Sequence, residues 1–184
     1  MSPTEILIEE HKAVRVILNA LVSMCDKLGS GERVEPAHFE KVIVFVRNMA
    51  DRAHHMKEED LLFEKMESAG VSREEMLADA ITTEHDLSRG YIRGISDALM
   101  AYSMGDDSAG RVITENASKY VALLRDHIDK EEQVIFPLAD KHLSEDAKSE
   151  LVEAFEKINL EVVGMDKLEE YMGIVTLLRN TYLG

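Results

Sequence analysis

Six side chains stand out because their types and spacing repeat: His11, His54, Glu58, His85, His127 and Glu131. His54 and His127 are each followed, four positions on, by a glutamate. Residues four apart on a helix stand one above the other, so each pair presents an imidazole and a carboxylate to one point. His11 lies 43 residues before His54, and His85 lies 42 before His127. Two half-sites of His, His and Glu would hold two cations, with the carboxylates bridging them. A glutamate in an apolar seam is costly unless paired or ligated, and two cations supply that compensation. Mixed imidazole and carboxylate ligation suits iron, manganese or zinc better than calcium or magnesium. A lone core histidine is more often a hydrogen-bonded structural residue than a ligand. Four at matching levels, two with a glutamate four residues on, are hard to explain that way.

The six belong to an internal repeat. Glu10-His11 and Arg15 match Glu84-His85 and Arg89, and His54 to Phe63 matches His127 to Phe136 in the pattern His-x-x-Lys-Glu-Glu-x-x-x-Phe. His55 with Glu59 is also an i, i+4 pair. His54 and Glu58 are preferred because they extend the apolar seam and align with His127 and Glu131. Glu59 and Glu132 are read as surface groups or as groups supporting the ligands. Arg15 and Arg89 either pair with that support or are solvated. Tyr120, one heptad before His127, is read as core packing, His38 and His142 as surface residues, and the ten methionines as core filler.

Four long amphipathic helices would position these groups. The first is predicted from about Pro3 to Leu28, with Ser2 and Glu5 as a capping box and the seam Leu7, His11, Val14, Leu18, Leu21, Cys25, Leu28. The second, from Pro36 to Ser68, carries Phe39, Ile43, Val46, Ala50, His54, Glu58 and Leu61. The third is predicted to start after Ser72, with Glu75 completing a cap, and to bury Ala78, Ile81, His85, Ser88, Ile92, Ile95 and Leu99. The fourth, Ala109 to Lys141, carries Ile113, Ala117, Tyr120, Leu124, His127, Glu131, Val134 and Leu138, and Pro137 should loosen its last turns. Long helices joined by short connections imply an all-α, up-down-up-down four-helix bundle over residues 1–143. The remaining segment, 144–184, reads as an additional C-terminal helical extension broken near Gly164. It is expected to pack on the bundle or to support a homodimer.

A formal net charge of −15 argues against nucleic-acid and membrane-surface partners. Cys25 is the sole cysteine, and no signal peptide or bilayer-spanning apolar run is evident, so a cytoplasmic setting is expected. There is no Gly-x-Ser-x-Gly, His-Glu-x-x-His or phosphate-binding glycine loop.

The set formed by His11, His54-His55-x-x-Glu58-Glu59-x-x-x-Phe63, His85 and His127-Ile128-x-x-Glu131-Glu132-x-x-x-Phe136-Pro137 resembles the hemerythrin-like (HHE cation-binding) family. The resemblance covers about residues 1 to 143. It implies a bundle with two non-haem iron ions, held by His11, His54, His85 and His127 and bridged by Glu58 and Glu131. Oxygen-carrying members use five histidines, with a His-x-x-x-His pair on the third helix, whereas this chain offers only His85 there. The resemblance therefore implies binding or sensing of O₂, NO or redox state, or iron handling, more than stable oxygen carriage. The alternatives are a di-metal redox enzyme (oxidase, peroxidase or NO reductase) and a structural bundle with a vestigial site.

Overall fold

The computed structural model describes residues 1–184 and contains six helices and no strand. α1 is Pro3–Gly29. α2 covers 36–68 as one rod, α-helical at Pro36–Phe45 and Phe63–Ser68, with π-helical turns at Val46–His55 and Lys57–Leu62 between them. α3 is Ala78–Ser103. α4 covers 107–142, α-helical over Asp107–Lys130 and Phe136–His142, with a π turn at Glu131–Ile135. α5 covers 145–163, ending in a π turn at Asn159–Val163, and α6 is Met165–Tyr182. No helix is long and apolar enough to cross a membrane.

Local chemistry sets most of the ends. Ser2 and Glu5 form the reciprocal capping box of α1, with Pro3 in its first turn. Asp106 caps α4 by accepting from the Ser108 N–H at 2.9 Å, and Ser144 caps α5. α3 departs from expectation. Ser72 and Glu75 do bond reciprocally, but residues 73–77 only turn, and Leu77 sits at φ 53°. That left-handed residue interrupts the helical ladder, so the long helix begins at Ala78. Gly164, at φ 85°, makes the break between α5 and α6.

The buried apolar side chains form two clusters, and the histidines lie where one gives way to the other. Along α1, Leu7 belongs to the smaller cluster and Val14 to the larger, with His11 between them. The same change occurs from Ala50 to Leu62 around His54, from Ile81 to Ile92 around His85, and from Leu124 to Ile135 around His127. A polar layer is thus enclosed between two apolar ones. α5 adds Leu151 and Phe155 to the smaller cluster, and α6 adds Tyr171, Ile174, Val175 and Leu178 to the larger.

Two readings of the seams need correction. Leu62 and Phe63 are buried where Leu61 was expected, and Ile135, Phe136 and Ala139 where Val134 and Leu138 were expected. Both shifts follow π turns, whose i→i+5 bonds put an extra residue into each turn and delay the inward face by one position. Pro137 follows one of these turns, but the matching turn in α2 has Glu64 there, so proline is not what widens them. The methionines are also not uniformly core filler. Met24, Met49, Met66 and Met76 are buried, whereas Met1, Met100, Met104, Met165 and Met172 are exposed.

Candidate metal centre

The structure brings all six predicted residues to one place. Glu58 and Glu131 are fully buried, and His11, His54, His85 and His127 are at most 3 % exposed. The Nε2 atoms of His11 and His54 stand 3.0 Å apart, as do those of His85 and His127. Each carboxylate faces both pairs. Glu58 places Oε1 3.2 Å from His54 Nε2 and Oε2 3.7 Å from His85 Nε2. Glu131 places Oε1 3.1 Å from His127 Nε2 and Oε2 3.2 Å from His11 Nε2. The glutamates therefore link the two halves of the repeat across the core, in addition to pairing with the histidine on their own helix.

A second layer fixes the rings. His11 Nδ1 lies 2.9 Å from Glu132, His54 Nδ1 2.8 Å from Glu10, His85 Nδ1 2.6 Å from Glu59, and His127 Nδ1 2.9 Å from Glu84. A carboxylate only accepts, so each Nδ1 carries a proton and donates it, directing Nε2 into the centre. Cations neutralise these carboxylates in turn: Arg15 on Glu132, Lys57 on Glu10, and Lys130 on Glu84. Glu59 and Glu132, read as surface or supporting groups, are supporting groups here. Arg15 and Arg89 pair with this layer, Arg89 mainly through Asp51.

The charge balance points to cations. All four oxygens of Glu58 and Glu131 are buried without a hydrogen-bond partner, although imidazole nitrogens lie close by. Buried carboxylate oxygens rarely go unmatched, because losing water without replacement costs about 1–3 kcal/mol or more per group. Two donors on one ion, with bonds of about 2 Å at a right angle, stand about 3 Å apart, which is the spacing found here. His11, His54, Glu58 and Glu131 each offer a donor atom within 4.8 Å of the others, and so do Glu58, His85, His127 and Glu131. Without a cation, protons occupy this space. Burial opposes charge on His54, but Glu58 and Glu10 outweigh it and raise the imidazole to about 10; His127 rises to about 9 against burial, through Glu131. Glu131 is held well below its ordinary range despite its burial, because His127 and His11 face it. Cations entering the centre would displace those protons.

The family model described as the hemerythrin HHE cation-binding domain matches residues 2–139. The chain belongs to that family. The comparisons with curated proteins and with solved structures gave no match. A hemerythrin HHE domain binds metal cations, and the His and Glu clusters of this one fit such ions.

The hemerythrin fold of this chain also buries a histidine that the sequence reading weighed and set aside in favour of His54. His55 is 4 % exposed, and its ring stacks on His85 with centroids 3.6 Å apart and planes at 12°. His55, His85 and His127 form a further group of donors within 4.8 Å. His54 and His55 are both buried, as are their counterparts His127 and Ile128 in α4. His55 Nδ1 meets Asp51, one turn earlier, at 3.3 Å, and burial followed by the nearby imidazoles holds His55 well below its ordinary value. It is therefore a neutral imidazole beside the second pair. The signal was present in Asp51 and His55, spaced i, i+4 like the other pairs. His38 bonds Tyr182 at 2.7 Å, His142 is exposed, and Tyr120 lies in the larger apolar cluster; none joins the centre.

Proposed function

We propose that this hemerythrin-family protein is a non-haem di-metal protein, with iron as its working metal, that binds or senses O₂, NO or redox state. His11 and His54 would hold one ion, His85 and His127 the other, and Glu58 and Glu131 would bridge them. The observation that carries this reading is the four unpartnered carboxylate oxygens facing four Nε2 atoms in a buried layer. Manganese or zinc would fit the same donors.

Bound iron would supply one-electron redox chemistry and a coordination position for a small ligand. The chain's own residues set the frame for it. Glu10, Glu59, Glu84 and Glu132 fix the four rings in one tautomer, and the apolar clusters on either side exclude bulk water. We assign this role to a bundle of residues 1–143 and treat 144–184 as its C-terminal extension.

The test is anaerobic loading with ferrous iron followed by air, read by metal analysis and near-ultraviolet absorption. About two iron ions per chain and an absorption change are expected, with one ion and the absorption change lost in His54→Ala or His127→Ala. Background iron levels, or variants that bind as the parent does, would overturn the assignment. A redox enzyme is the second reading, favoured by the cleft that reaches His55. Peroxide or NO turnover by the iron-loaded protein, abolished by Glu58→Ala, would establish it.

A further inference from the structure

A cleft of ≈ 700 Å³ opens between α2 and α3, with His55 in its lining. Four of the chain's ten arginines line it: Arg47, Arg52, Arg89 and Arg93. This is an unusual place for them to gather. The chain has 36 acidic and 21 basic residues, so a basic side chain is more easily paired than left free.

Arg89 is paired. Its Nε lies 2.7 Å from Asp51, and its terminal nitrogens reach Asp86 at 2.7 Å and Glu59 at 3.7 Å. Arg47, Arg52 and Arg93 are exposed, and none has a carboxylate within 4.0 Å. The acidic lining is otherwise committed: Asp51 serves Arg89 and His55, and Glu59 serves His85 and Arg89, which leaves only Asp60. The cleft thus carries three free guanidinium groups against one free carboxylate, over an apolar floor of Val46 and Ile92. A guanidinium fork matches the two-oxygen face of a phosphate or carboxylate, and low-dielectric walls concentrate its field. The other large cleft, lined by Arg33 and Arg111, also holds Glu32, Asp107 and Glu115 and has no such surplus.

We propose that the α2–α3 cleft is a binding site for a small molecule bearing a phosphate or carboxylate group, held by Arg47, Arg52 and Arg93 beside His55. The site is independent of which metal the centre holds. Its inner wall is connected to the centre, because one Asp51 oxygen takes both Arg89 Nε and His55 Nδ1.

Calorimetric titration of the full chain, in buffer free of oxyanions, tests this with inorganic phosphate and, separately, succinate. Saturable binding of one anion per chain is expected for at least one probe, and which one saturates tells phosphate from carboxylate. Affinity should fall at least tenfold in the Arg47→Gln/Arg93→Gln double variant and stay unchanged in Arg111→Gln. Both changes lie on exposed side chains, and circular dichroism with metal analysis checks that fold and metal content match the parent. Equal metal content separates failure here from failure of the metal assignment, since an anion bound to the metals themselves would bind the double variant equally. That result, or non-saturable heats with both probes, would overturn the proposal.

Discussion

The two halves of the repeat supply the same donors but surround them differently. In the first, the His11 ring stacks on Phe136 at 5.6 Å, and Lys57 is fully buried between Glu10 and Asn159 of α5, with its ammonium over the Phe155 ring. In the second, the His85 ring stacks on His55, and Lys130, the counterpart of Lys57, is one-third exposed and shared between Glu84 and Asp126. The position that matches His55 in the other half is Ile128, a core residue. One half-site is therefore sealed by the C-terminal helices, and the other is flanked by a third imidazole and a basic cleft. Duplication gives two equivalent pairs of candidate ligands, while one substitution and one added element make their surroundings unequal.

Glu58 and Glu131, each facing both histidine pairs, are the one feature that the two halves share. Glu58→Ala or Glu131→Ala should abolish binding of both ions, whereas His11→Ala should lose mainly the first; metal analysis of the purified variants measures this. Two ions retained in Glu58→Ala would show that the halves bind independently. Chelation of the parent should lower its melting temperature, because a ligand of the native state stabilises it by about 2.7 kcal/mol at a hundredfold excess over its Kd.

The lysines compare the sealed side with the open one. Lys57→Ala removes a fully buried ammonium from Glu10, which is partly exposed and keeps His54, so in denaturant unfolding it should cost less than the about 3–5 kcal/mol of a wholly buried pair but more than a solvated one. Lys130→Ala, at a partly solvated pair, should cost about 0–1 kcal/mol. Similar losses for the two would remove the distinction. His55→Ile makes the second half resemble the first. It should preserve the fold and weaken the second ion about 10- to 100-fold, the range for groups that support a metal site, with the first ion unchanged. Asn159→Ala removes one acceptor from the Lys57 ammonium. A loss of about 1–3 kcal/mol, with metal content intact, would confirm that α5 closes the first half-site.

The helices and the six central residues were legible because they follow simple periods. A step of three or four placed His11, His85 and the buried residues of α3 on one seam, and all seven predicted α3 positions are buried. The repeat then aligned Glu58 with Glu131. The misplaced residues have one physical origin. Leu61, Val134 and Leu138 all lie in or just after π turns, where the 3.6-residue period fails, whereas His55, weighed with Glu59 and set aside for His54, was no error of period. Nothing in residue type marks such turns, since α2 and α4 adopt them with and without a nearby proline. The start of α3 was misplaced for a different reason, because a capping pair describes a local turn and not how far the helix after it continues.

By itself, then, the sequence determined an all-α chain with duplicated His, His and Glu sets on matching helix faces, since face and spacing are properties of the helix. The tertiary structure decided which carboxylate faces which histidine pair across the core, and that neighbouring His54 and His55 are both buried. It also decided that α5 closes over Lys57 while arginines gather beside His55. Those outcomes depend on how separate helices wind and pack against one another, and no single helical period encodes them.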